Sequence, residues 1–149
     1  MPKVLIVDDS LIVRRNLQKF LQKLNFEVIG DAKNGIEAVE QTRRLKPELI
    51  TMDITMPEMD GIEAVKKIRE FNDEVKIIMS TSHGQEKMVL DSIKAGARGY
   101  MLKPITEDKL IVALKKAFPN HKFPTDISDE ILEETRKQQS SEDIEEIQL

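Results

Sequence analysis

The stretch Leu49-Ile50-Thr51-Met52-Asp53 is a short apolar run that stops on a carboxylate. Three other runs stop on polar groups in the same manner: Val4-Leu5-Ile6-Val7 on Asp8 and Asp9, Ile77-Ile78-Met79-Ser80 on Thr81, and Gly99-Tyr100-Met101-Leu102 on Lys103. Runs of this length, separated by stretches of helical periodicity, read as parallel strands in strand–helix units. The carboxyl ends of such strands open onto one edge of the sheet, where ligands bind. Three carboxylates, one hydroxyl and one ammonium are therefore expected to converge on a single site.

The alternation runs through most of the chain. Strands are expected at about 3–7, 27–30, 48–52, 76–80 and 99–102. The first helix carries Leu11, Ile12, Leu17, Phe20, Leu21 and Leu24 at helical spacing, and the second carries Ile36, Val39 and Leu45 and is closed by Pro47. A third helix follows the turn residues Pro57 to Gly61, a fourth spans about 85–95 with Gly96 as its C-cap, and a fifth spans about 107–118. The third and fourth strands are nearly continuous in apolar residues, as strands covered on both faces are. Five such units give an α/β fold with a doubly wound five-stranded parallel sheet. The phrases Asn34-Gly35-Ile36-Glu37-Ala38-Val39 and Asp60-Gly61-Ile62-Glu63-Ala64-Val65 nearly repeat each other, and they read as two equivalent helix starts.

Composition narrows the function classes. There is no cysteine and there are two histidines, which excludes a disulfide framework, a thiolate metal site and a histidine-rich one. No run is long enough to span a bilayer, and Asp8 and Asp9 interrupt the first apolar run, so no secretory pattern forms. A cytoplasmic location is expected. The net charge is −4 and no basic stripe appears, which argues against nucleic-acid binding. Charge is unevenly spread. Beyond Phe118 nine acids face three bases, a net of −6, which leaves +2 on the rest. We divide the chain into a domain at 1–118 and an acidic C-terminal tail at 119–149, disordered or forming a short helix near 127–137 with Ile127, Ile131 and Leu132 as a small apolar patch. The tail is expected to add little to fold stability.

Clustered carboxylates repel one another, and one would hold a proton unless a cation intervenes. Mg²⁺ accepts carboxylates together with water and phosphate oxygens. A carboxylate can also act as a nucleophile and form an acyl phosphate. Transfer of a phosphoryl group then needs its equatorial oxygens neutralised, a task for the metal, Lys103 and the Thr81 hydroxyl. Each residue alone has an ordinary explanation as a turn, cap or surface group. Their joint placement makes the case for a phosphate receiver.

The segments "VLIVDDS", "LITMDITMPEMDGIEAV", "IIMSTSHGQEKMV" and "AGARGYMLKPIT" resemble the receiver domain of two-component response regulators, and within it the single-domain chemotaxis receivers of the CheY kind. The resemblance covers about residues 2–118. It implies a flavodoxin-like sheet of order 2-1-3-4-5 flanked by five helices. It also implies that Asp53 is the phosphoacceptor, assisted by Thr81 and Lys103. Mg²⁺ is implied as the cofactor, bound by Asp8, Asp9, Asp53 and the backbone carbonyl of Thr55. Thr81 and Tyr100 would be the switch pair, and the Lys103–Pro104 bond would be cis. Thr55 and His83 would stand at positions that tune autodephosphorylation, and Ser82, being small, would leave the phosphoryl group accessible.

The resemblance implies a regulator rather than an enzyme, with self-phosphorylation and autodephosphorylation as its only chemistry. Its partners would be a histidine kinase and an output protein at the face formed by helix 4, strand 5 and helix 5, with the flagellar motor switch as a candidate. A monomer is expected, with the tail as a possible dimer contact. Two alternatives stay open. One is a phosphorelay intermediate that passes phosphate to a histidine phosphotransfer protein. The other is an aspartate-nucleophile phosphohydrolase, against which stands Thr55, where such enzymes carry a general acid.

Overall fold

The computed structural model describes residues 1–124. Ten elements alternate: β1 (Lys3–Val7), α1 (Leu11–Lys23), β2 (Glu27–Ala32), α2 (Gly35–Leu45), β3 (Leu49–Asp53), α3 (Gly61–Arg69), β4 (Lys76–Thr81), α4 (Glu86–Ala95), β5 (Gly99–Leu102) and α5 (Glu107–Ala117). The strands form one parallel sheet of order β2-β1-β3-β4-β5. The chain reverses its direction of travel across the sheet between β1 and β3, and the site lies at that switch point.

Residues one apart on a strand feed opposite faces of the sheet. Leu5, Val7, Ile50, Met52, Ile77 and Met79 pack with Ala38 of α2, Ala64, Val65 and Ile68 of α3, and Val89 of α4. Val4, Ile6, Leu49 and Ile78 point the other way, onto Leu17 and Leu21 of α1 and Leu110, Ile111 and Leu114 of α5. This two-sided burial explains why the apolar runs show no polar alternation.

Helix starts follow the sequence closely. Ser10, Asn34, Asp60 and Thr106 each cap a helix by accepting a backbone N–H three residues on. The two repeated phrases are equivalent in this respect, since Asn34 caps α2 and Asp60 caps α3. Gly96 follows α4 at φ 125, a conformation that a side chain rarely adopts. Gly61 serves a different need. A Cβ there would stand 2.2 Å from the Asp53 carbonyl oxygen. The start of α3 thus lies directly against the backbone that carries Asp53.

Two expectations change. Leu11 and Ile12 have helical spacing, yet they are 53% and 73% exposed. They occupy the first turn of α1, whose buried residues, Leu17 and Leu21, come only in later turns. The second change lies after α5. Phe118 and Phe123 pack against the core, and the His121 ring lies 4.2 Å from that of Phe26, with a ring nitrogen 2.9 Å from the Leu24 carbonyl oxygen. The chain therefore supports the fold beyond Phe118. The expected tail helix and its apolar patch lie outside the described residues.

Candidate functional site

The acid pair sits in the loop that joins β1 to α1. Asp8 is fully buried and both its carboxylate oxygens are engaged. Oδ1 accepts the Ser10 N–H at 2.9 Å, and Oδ2 faces the Lys103 ammonium at 3.0 Å. The loop is also held from outside, because Arg14 donates to the Asp8 carbonyl oxygen and to Asp31 Oδ2, each at 2.8 Å. Asp9, by contrast, is exposed.

Asp53 ends β3 and is 6% exposed. Its Oδ1 lies 3.3 Å from Lys103 Nζ. Ligand oxygens of Asp8, Asp9 and Asp53 all fall within 4.8 Å of one another. Burial, and next to it the charge of Asp8, push the Asp53 carboxyl from 3.8 up to about 7, against the opposing pull of Lys103. At Lys103 burial favours the neutral amine, but the hydrogen bond to Asp8 and the charges of Asp53 and Asp8 outweigh it and hold the pKa above the ordinary lysine value. One ammonium thus pairs with two of the three clustered carboxylates, Asp8 and Asp53, and negative charge remains to be balanced. An all-oxygen donor set with one exposed member suits a hard divalent cation that keeps some of its water.

Thr81 ends β4 and is 1% exposed. Its hydroxyl donates to Gln85 Oε1 at 2.8 Å, and the Gln85 amide nitrogen donates to Thr55 Oγ1, also at 2.8 Å. Tyr100 is half-buried on β5, packs beside the α2–α4 core, and has its hydroxyl oxygen shut from solvent. The Lys103–Pro104 peptide is cis. His83 and Ser82 are exposed in the loop before α4. The geometry therefore gathers Asp8, Asp9, Asp53 and Lys103 into one cluster. Thr81 and Thr55 lie at its rim, joined through Gln85.

Sequence reading missed two participants. Arg14 carries no sequence signal that separates it from its neighbour Arg15 on α1. Gln85 carried a signal, since glutamine is not among the residues favoured immediately before a helix.

The sequence pattern of the response regulator receiver domain matches residues 4–115. The chain belongs to the response regulator receiver family. Among its relatives, the chemotaxis protein CheY of Thermotoga maritima is 46% identical over 114 residues, which cover 76% of this chain and 95% of that protein. CheY of Bacillus subtilis is 45% identical over the same shares. Among solved structures, the CheX-CheY-BeF3-Mg²⁺ complex from Borrelia burgdorferi is similar with a TM-score of 0.74 and 34% identity, covering 78% of this chain and 88% of that one. In receiver domains the acidic pocket binds Mg²⁺, and the acid cluster found here has the donors for it. No helix among the described residues is long and apolar enough to cross a membrane.

Proposed function

We propose that this receiver is a phosphorylation-dependent binding switch in chemotaxis signalling, with Asp53 as its phosphoacceptor. The observation that carries the reading is the position of Asp53, buried at the end of β3 within reach of Asp8, Asp9 and the Lys103 ammonium. A phosphohistidine of a histidine kinase is the donor. An Asp53 carboxylate oxygen bonds to phosphorus as the nitrogen–phosphorus bond breaks, and the imidazole leaves and takes up a proton. Lys103 stays charged throughout and pairs with a phosphoryl oxygen. Mg²⁺, held by Asp8, Asp9, Asp53 and the Thr55 carbonyl, would supply charge neutralisation for the phosphoryl group.

The signal leaves through Thr81 and Tyr100. Phosphorylation shifts the population only through contacts that exist in one state. The Thr81 hydroxyl bonding to the acyl phosphate is such a contact. The output surface is the face formed by α4, β5 and α5. In support of it, a groove of about 390 Å³ lies there, lined by Ile93, Tyr100, Lys109, Val112, Ala113 and Lys116 among others. The chemotaxis assignment, like the cytoplasmic location, is carried over from the CheY relatives.

Labelling with acetyl phosphate and Mg²⁺ tests the core of this reading. Wild-type protein is expected to take one phosphoryl group and Asp53→Asn none. Undiminished labelling of that variant would sink the assignment. A phosphohydrolase would instead turn over a chromogenic phosphate ester many times, which Thr55 is not equipped to support as an acid.

A further inference from the structure

Gln85 stands where a cap for α4 would be, yet its side chain makes no capping bond. It reaches sideways instead. Its Oε1 accepts from the Ser82 N–H and from the Thr81 hydroxyl, each at 2.8 Å, and its Nε2 donates to Thr55 Oγ1 at 2.8 Å. The network fixes the direction of each bond. The Ser82 N–H can only donate, so the amide oxygen must face it, and the hydroxyl that meets the same oxygen must give up its proton. One half-buried side chain therefore ties together the loop after β3, the end of β4 and the first turn of α4.

A hydroxyl has one proton. The oxygens of an acyl phosphate are acceptors. Thr81 therefore cannot donate to Gln85 and to a phosphorylated Asp53 at once, and the two bonds exclude each other. We propose that Gln85 is a positioning residue that latches the Thr81 hydroxyl in the unphosphorylated state, and that its release transmits phosphorylation to the start of α4. The proposal rests on the reading of Asp53 as phosphoacceptor. When Thr81 turns to the phosphoryl group, Gln85 loses a partner, and the helix that borders the output groove loses its side-chain tie to the end of β4.

The test is a double-mutant cycle on the full chain with beryllofluoride and Mg²⁺, a stand-in for the phosphoryl group. Bound beryllofluoride is followed by fluorine NMR, and Tyr100 emission reports the change at β5. Gln85→Met keeps the volume and removes the bonds. It is expected to bind beryllofluoride about 3- to 10-fold more tightly than wild type, the gain from no longer breaking a hydrogen bond or two. In a Thr81→Ala background the same substitution is expected to change nothing, because the latched hydroxyl is already gone. A Gln85→Met midpoint equal to or weaker than wild type overturns the latch. So does a shift that persists without the Thr81 hydroxyl, which would mark a merely structural role. Wild-type protein that fails to bind beryllofluoride would instead bring down the phosphoacceptor reading, and the latch with it.

Discussion

At Asp53 a carboxyl is pushed from 3.8 to about 7, by burial first and by Asp8 second. The folded protein holds that proton more tightly than the unfolded chain does. Asp53 therefore adds stability below pH 3.8, and this contribution is lost as the pH rises through about 7. In metal-free protein, Asp53→Asn is expected to be more stable than wild type at pH 8, by roughly 1–2 kcal/mol, with the gap closing toward pH 4. Urea unfolding in the presence of a chelator measures this, and a variant weaker than wild type at pH 8 would contradict it. Asp9 differs from its neighbour. Asp8 holds a backbone N–H and the Lys103 ammonium, whereas Asp9 is exposed. Asp9→Asn is expected to weaken Mg²⁺ binding and to leave apo stability unchanged or raised. Calorimetric titration with Mg²⁺ and a thermal melt together check both halves, and a clear loss of apo stability would count against the repulsion argument.

Among the elements, α3 governs the site most directly, because its first residue touches the backbone of Asp53. The Gly61 N–H donates to the Ile54 carbonyl oxygen at 2.7 Å, and Asp60 caps the helix from the same loop. A methyl group at Gly61 has no flexible neighbour to push aside, since the nearest atom is the Asp53 carbonyl oxygen at 2.2 Å. Gly61→Ala is therefore expected to cost about 2 kcal/mol or more by overpacking and to slow phosphorylation of Asp53. Unfolding and acetyl-phosphate labelling rates test the two effects, and a variant normal in both would show that the loop yields. On the opposite side of the sheet, Leu21 and Leu114 are fully buried in the α1–α5 core. Truncating either to alanine should cost about 2–5 kcal/mol without touching the acid cluster. Loss of labelling in a variant that remains folded would contradict this separation of core from site.

For the whole molecule, the chain after α5 closes against the end of the sheet opposite the acid cluster. Phe123 packs 6.4 Å from Phe26 and edge-on to His121, and Asn25 donates to the Lys122 carbonyl oxygen. Truncation after Pro124 is expected to keep the melting temperature within a few degrees. Truncation after Phe118 is expected to cost about 2 kcal/mol, since it removes two rings from this cluster. Equal melting temperatures for the two would show that the cluster contributes nothing. The sequence by itself determined the ten elements, their order and the residues of the acid cluster. Strand runs, caps such as Asn34 and Asp60, and breakers such as Pro47 act over a few residues, and strand ends carry their polar groups to a common edge whatever the details of packing. What lies across space was left to the tertiary structure. Leu11 and Ile12 share helical spacing with Leu17 and Leu21, yet in the folded chain they stay exposed while the other two are buried. Phe123 looks like the start of a tail until Phe26 is placed beside it. Gln85 shows its role only once folding has brought Thr55 within 2.8 Å of it, 30 residues away along the chain. Local periodicity records which face a residue can present, but only the folded chain supplies the group that meets it.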